Sequence, residues 1–225
     1  MNKRLKLRLR RPVVAPTLPA SLAQLLPPVI EDDCVVENGL LCEVDFSQQS
    51  ASDVLFKGIH LKQVKLSATR FERFEVIDAI FEGCDLSNAD WSNSRLDRVQ
   101  FIGCRLTGLR ANEATLRDVQ FEACKGDWAQ FRMSHFRHCS MKECIVRSAD
   151  FQAADLSGLL FTQCTLQNAQ MSQADLHGTD FTTSAIEGLQ VNPEAMKGMK
   201  VSPYQAARLA AHLGLDVCWE ETGGP

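Results

Sequence analysis

Large apolar residues recur at every fifth position along most of this chain. Of its twelve phenylalanines, eleven share one register: Phe46, Phe56, Phe71, Phe81, Phe101, Phe121, Phe131, Phe136, Phe151, Phe161 and Phe181. Only Phe74 falls outside it. From Leu41 to Val191 the register holds 31 positions, and all but Ala51, Ala111 and Gly126 carry Leu, Phe, Trp, Met, Val or Ile. A helix turns about 100° per residue, so a spacing of five makes no single apolar stripe. A flat strand would send every second large residue to the opposite face. A chain that turns a corner every five residues satisfies the pattern, because each short side then points the same residue inward.

A second register supports the corners. Two residues before each large position the chain places compact side chains, among them Cys84, Ala89, Ser94, Cys104, Ala114, Cys124, Ser134, Cys144, Ala154, Cys164 and Thr179. The other three positions of each five are mostly polar, as in Asp85-Leu86-Ser87-Asn88. Cys84, Cys104, Cys124, Cys144 and Cys164 recur every 20 residues, as do Phe81, Phe101, Phe121, Phe161 and Phe181 with Met141 in the missing place. Four sides of five residues therefore close one square turn. With neighbouring strands ~4.8 Å apart, about seven to eight such coils make a rod somewhat under 40 Å long. The predicted fold is all-β, a four-sided β-solenoid.

The five-residue variants SNADW, SADFQ, AADLS, QADLH and GTDFT, within residues 41–191, resemble the pentapeptide-repeat family. The resemblance implies a right-handed quadrilateral β-helix. It also brings in the quinolone-resistance and gyrase-binding members of that family, which mimic duplex DNA, while many other members have no known role. The segment YQAARLAAHLGLDV resembles the C-terminal segment of the quinolone-resistance proteins, whose end-to-end dimers form there.

Solenoids expose apolar cross-sections at both ends and need caps. Residues 12–40 begin with a Pro-rich stretch and read as the N-terminal capping segment, with a short helix over 20–26 covering the first coil. Residues 1–11, MNKRLKLRLRR, read as a disordered cationic tail. At the other end Asn192-Pro193 interrupts the register. Ser202-Pro203 reads as a helix N-cap followed by proline at the first helical position. The helix places Ala206, Leu209, Ala210 and Leu213 on one face, Gly214 terminates it, and the LDVCW run adds a short strand carrying Leu215 and Val217. Residues 192–225 thus form either a cap over Ile186 and Val191 or a homodimer interface, and the two readings are compatible.

Composition narrows the setting. No apolar run approaches the ~18 residues of a membrane span. Pro12, Pro16 and Pro19 break the stretch after the basic start, so no signal-peptide core is predicted. A cytoplasmic protein with no membrane contact is expected. Six of nine cysteines occupy the compact inward position, where free Cys acts as a small hydrophobe. Reduced thiols fit both that core and the cytosol.

Candidate chemistry is sparse. His135, His138 and His177 share one outer face, but the two-coil gap to His177 is near 10 Å on the strand spacing, too long for shared coordination. No phosphate-binding, dinucleotide, nucleophile-elbow or zinc-protease motif is present. The aspartates before the large positions suit backbone capping at corners, and a filled rod has no pocket to perturb a catalytic pair. The expectation is a non-enzymatic protein with no cofactor and no metal.

Charge makes the rod banded. The net charge of −4 includes +6 from the tail (Lys3, Arg4, Lys6, Arg8, Arg10 and Arg11), which leaves −10 on residues 12–225. Residues 75–94 and 148–191 carry no Lys or Arg. Residues 95–147 carry ten basic and six acidic residues, so the middle is +4. Overall acidity favours mimicry of DNA, and the basic middle argues against it. The candidate acidic partner surface is Asp150, Asp155, Asp175, Asp180 and Glu187. A candidate apolar patch is Ile80 with Ile102 on neighbouring coils, together with Trp128, which is predicted to tuck against the rod at a bulge around Gly126. The function read from the sequence is protein–protein contact with an unidentified partner. DNA gyrase, approached by mimicry of DNA, is the alternative. The rod itself is not expected to bind nucleic acid, and the basic tail is a separate candidate for nucleic acid or an anionic surface.

Overall fold

The computed structural model of the chain describes residues 12–218. The cationic tail of residues 1–11 lies outside the described residues. In chain order the elements are β1 (Ala23–Gln24), β2 (Val35–Cys42), β3 (Ser50–Ser52), β4 (Leu55–Lys62), β5 (Arg70–Glu72) and β6 (Glu75–Glu82). They continue with β7 (Arg95–Ile102), β8 (Thr115–Glu122), β9 (His135–Arg137), β10 (Cys139–Lys142), β11 (Leu159–Thr162) and helix α1 (Pro203–His212). Every strand pairing is parallel, and along β2-β4-β6-β7-β8 residues pair with those 20 further on, as in Val36↔Phe56↔Val76↔Leu96↔Leu116. Taken 20 at a time, residues 35–191 make between seven and eight turns.

The four sides differ in regularity. The eight-residue strands each cover two consecutive sides, the first centred on residues such as Val76 and the second on Phe81. Isolated bridges such as Lys65↔Asp85↔Arg105 hold the third side, centred on Leu86. The fourth side, centred on Phe71 and Trp91, carries the β3–β5 pair and further bridges. The register starts one step earlier than the sequence indicates, because Val36 is already buried. Beyond Asn192 it returns once more, with Lys200 bridged to Asp180.

Corners are made by backbone conformation. Every fifth residue from Asp33 to Ala153 has φ between 52° and 66°, and most of these residues are not glycine. The left-handed conformation costs an L-residue about 1–2 kcal/mol. Full burial of one Leu or Phe contributes about 1.5–3 kcal/mol, so the large residue on each side outweighs the strain of its corner.

The interior is filled by both inward registers. Phe81, Phe101 and Phe121 stack with centroids 4.8 and 4.9 Å apart. Phe74 takes a compact position instead and is wholly buried, its ring meeting Phe56, Phe71 and Trp91 at 5.2, 5.1 and 4.8 Å. The compact position has a polar duty too. Cys84, Cys104, Cys124, Cys139, Cys144 and Cys164 each donate a thiol hydrogen bond to the carbonyl 23 residues earlier, at 3.2–3.5 Å. Ser134 and Thr179 do the same with their hydroxyls. Small side chains with one donor are therefore favoured there for two reasons, space and carbonyl satisfaction. All nine cysteines are free.

Both ends depart from the expectation. Residues 20–26 form no helix: Ala23 and Gln24 pair as β1 with Gly39 and Leu40, and the Leu25 N–H donates to the Leu40 carbonyl. An exposed parallel edge offers backbone partners that a helix could not use. Residues 215–218 form no strand, and Trp219, the last residue of the expected strand, lies outside the described residues.

Candidate functional site

The outer surface carries the polar chemistry, and its largest feature is a set of ion-pair ladders. Asp45–Lys65, Asp53–Arg73, Asp78–Arg98, Asp85–Arg105, Asp90–Arg110, Asp97–Arg117 and Glu122–Lys142 are all pairs 20 residues apart, hence on adjacent coils. Asp97 is shared between Arg98, at 3.0 Å, and Arg117. The Arg98 guanidinium holds the Asp78 carboxyl below its usual range, with a smaller contribution from the Thr17 N–H. Exposed pairs are each worth about 0–1 kcal/mol, so the ladders matter chiefly for charge. Arg98, Arg105 and Arg110 of the middle pair with Asp78, Asp85 and Asp90, whereas residues 148–191, like residues 31–56, are rich in carboxylates and carry no cations of their own.

Within that stretch the candidates do not converge on a point. Asp155 and Asp175 are bridged neighbours on the first side. Asp150 stands on the fourth side, across one corner, with Arg132 at 3.8 Å. Asp180 begins the second side, and Glu187, on the third, accepts from Gln167 Nε2. They form a band round the rod, not a pocket. Asp150, Asp155, Asp175 and Asp180 also accept the backbone N–H two residues on, at 2.9–3.1 Å. That is the corner-capping role their position in the repeat implies.

The apolar candidates are separated. Ile80 is half-buried and Ile102 exposed on the second side of neighbouring coils. Trp128 stands at the diagonally opposite corner with φ 58°, 62 % exposed. It is not tucked against the rod, and Gly126 makes no bulge. Residues 121–130 follow the regular coil pattern, with Val146 and Leu106 closing around the space a side chain would occupy. The corner conformation points Trp128 outward.

At the C-terminal end, the buried residue of α1 is polar. Gln205 Nε2 donates to the carbonyls of Phe181 and Ser184, at 2.8 and 2.7 Å, while its Oε1 accepts the Ser202 N–H. With Ser202 Oγ accepting the Gln205 N–H, this is a capping box turned onto the last coil. Ile186 and Val191 are buried beneath. Leu209 packs partly on the core and Ala210 is half-buried, whereas Ala206, Leu213 and Leu215 are exposed and Val217 is half-buried. A cavity of about 290 Å³ lies between α1 and the last coil, lined by Ile186, Leu189, Tyr204 and Leu209 among others. Among the described residues no group of His, Cys, Asp and Glu could hold a metal ion, and no helix is long and apolar enough to cross a membrane.

A sequence model of the pentapeptide repeat region matches residues 74–146 and 127–191, together more than half of the chain. The chain belongs to the pentapeptide-repeat family. No curated protein matches it. Similar solved structures of pentapeptide-repeat proteins include HetL, involved in heterocyst differentiation regulation in Nostoc sp. strain PCC 7120. It is 18% identical over 75% of this chain and 87% of its own, with a TM-score of 0.38. Full-length QnrB1, a plasmid-mediated fluoroquinolone resistance protein, is 21% identical over 87% of this chain and 99% of its own, with a TM-score of 0.33. At these identities the likeness is one of fold.

Sequence reasoning missed two features of this pentapeptide-repeat rod. One is the Gln205 plug, whose signal was legible as Ser202-x-x-Gln205. The other is the course of residues 14–19. The Val14 N–H donates to Asp118 Oδ1 at 3.0 Å and the Thr17 N–H to Asp78 Oδ1 at 2.9 Å, while Pro19 lies over Gly58. This strap runs along the corner between the first and second sides, across the coils of Asp118, Asp78 and Gly58.

Proposed function

We propose that this protein acts without catalysis, as a rigid rod presenting its acidic C-terminal coils to a protein partner. The observation that carries the reading is the distribution of charge. Between Asp45 and Lys142 seven carboxylates pair with cations of the next coil, whereas residues 148–191 contain five carboxylates and no Lys or Arg, with Arg132 beside Asp150 alone. An acidic surface on a stiff scaffold suits a partner whose own surface is basic, by electrostatic steering. Free cysteines throughout fit a reducing, cytoplasmic setting.

A type II topoisomerase is the partner to test first, since its DNA channel is a basic surface and one protein of the same fold confers fluoroquinolone resistance. The exposed Leu213 and Leu215 would join two rods end to end, lengthening the acidic surface. The test adds micromolar protein to gyrase supercoiling and quinolone-poisoning assays, alongside a variant with Asp150, Asp155, Asp175 and Asp180 changed to Asn. The expected result is inhibition or relief by the native protein and its loss in the variant. No effect of either sinks the topoisomerase reading. A partner that binds both proteins equally sinks the acidic surface.

A further inference from the structure

We propose that the turn around Trp128 binds single-stranded nucleic acid, with one base stacked on the indole and the flanking phosphates held by cations on both sides of the corner. The rod as a whole is acidic and repels a polyanion. One turn reverses the sign. Residues 123–142 carry Lys125, Arg132, Arg137 and Lys142 against a single acid, Asp127, whose Oδ1 takes the Arg147 N–H at 2.9 Å. Four cations less one carboxylate leave that turn at +3, and Arg147 adds a further cation on the next coil.

Trp128 stands at the corner between the third and fourth sides, 62 % exposed. Its neighbours in that corner column, Gly108 and Ser148, are small, and no hydrogen bond or ring contact engages the indole among the described residues. Cations lie on both sides of it. On the third side Lys125 is exposed, and exposed Arg147 sits beside Asp127 one coil on. Neither pairs with a carboxylate among the described residues. On the fourth side Arg110 is the bridged neighbour of Gln130, one coil back, and exposed Arg132 follows Gln130. Arg110 and Arg132 meet Asp90 and Asp150 at 3.2 and 3.8 Å, surface pairs that hold their cations weakly in water.

A strand laid across this corner from Arg147 to Arg110 therefore meets a cation, an aromatic face and a second cation in turn. A cationic path and an aromatic platform are the two devices that hold single strands without sequence preference. A duplex keeps its base faces inside the stack and has none to give a lone indole. Carboxylates of an acidic peptide would satisfy the cations and leave the indole unused. The site stands whether or not the acidic C-terminal coils bind a partner.

Fluorescence anisotropy of a labelled single strand of about 12 nucleotides, titrated with the full chain, tests the site. Trp128→Ala removes an exposed side chain and spares the core, and affinity should fall at least about fivefold. Changing Lys125 and Arg147 together to Gln should weaken binding and reduce the slope of log affinity against log salt by about 1.4, two phosphate contacts at ~0.7 each. A duplex of the same sequence should bind more weakly and be indifferent to Trp128→Ala. Absence of binding, or equal affinity of the native chain and Trp128→Ala for the single strand, overturns the inference. Polyglutamate of the same charge competing as well as the single strand also overturns it, and would assign the surface to an acidic protein segment.

Discussion

The backbone N–H of Thr17 donates to Oδ1 of Asp78 at 2.9 Å, although 61 residues separate them. The same carboxylate takes Nε and Nη2 of Arg98, each at 2.7 Å. One side chain thus ties the N-terminal strap to two coils of the rod. It stands at a corner, where φ is 53° and the backbone turns the carboxylate out toward the strap.

Replacing Asp78 with Ala should free the strap without unfolding the rod. A hydrogen bond to a charged group contributes about 1.5–3 kcal/mol, and Val14 has its separate anchor at Asp118. Limited proteolysis should cut within residues 12–19 much faster in the variant, with the repeat left intact. Unchanged cleavage would mean the strap is held by other contacts.

Acid should have the same effect reversibly. The folded-state pKa of Asp78 is depressed, first by Arg98. Its contribution is therefore fully present above the unfolded value of about 3.9 and declines as pH falls below that value through the folded one. Amide exchange at Val14 and Thr17, followed from pH 6 down to pH 2, should show protection of Thr17 falling in that window. Protection that is flat throughout would remove Asp78 as the clasp.

Coil length, the identity of each inward residue and the thiol ladder were legible in the sequence because a filled, narrow interior admits one large and one compact side chain per side. The strap was not legible. Its partners Asp78 and Asp118 are ordinary corner residues of the repeat, and residues 14–19 touch them through backbone N–H groups that carry no residue identity. The prolines at 12, 16 and 19 held part of the signal, since they favour an extended chain over a helix. Trp128 was misplaced for a related reason: hydrophobicity predicts burial, but the left-handed corner decides direction.

Two corner glycines separate backbone strain from packing. Gly103 has φ 61° with nothing near a would-be side chain, whereas at Gly108, φ 66°, the Asn88 carboxamide already fills that space. Gly103→Ala should lower stability by about 1 kcal/mol, the strain alone. Gly108→Ala should cost roughly 2–3 kcal/mol, because Asn88 must also move. Equal losses in urea unfolding would show that the Asn88 contact is neutral.

The cysteine ladder should be chemically silent in the folded protein. Burial pushes the Cys139 thiol up to about 12, so at pH 8 almost none is thiolate, the reactive form. The five thiols of the 20-residue column, Cys84, Cys104, Cys124, Cys144 and Cys164, are buried in the same interior one side away. Alkylation of the native chain should modify Cys218 first and Cys34 and Cys42 more slowly, with the six buried cysteines labelled only after unfolding. Early labelling of Cys104 or Cys124 would reveal opening of the central coils.

Gln205→Met tests whether the C-terminal helix caps the rod through its polar side chain or merely by coverage. Methionine keeps the length but leaves the carbonyls of Phe181 and Ser184 and the Ser202 N–H without their partner. An unsatisfied buried polar group costs about 1–3 kcal/mol, so the cap should be heavily destabilised. Each coil of a solenoid leans on its neighbours, and loss of the cap should spread inward from the last coil. Amide exchange should accelerate across α1 and around Phe181 while the core near Phe101 stays protected. If α1 keeps its native protection in the variant, burial of Leu209 and Ala210 is what holds the cap, and the plug is dispensable.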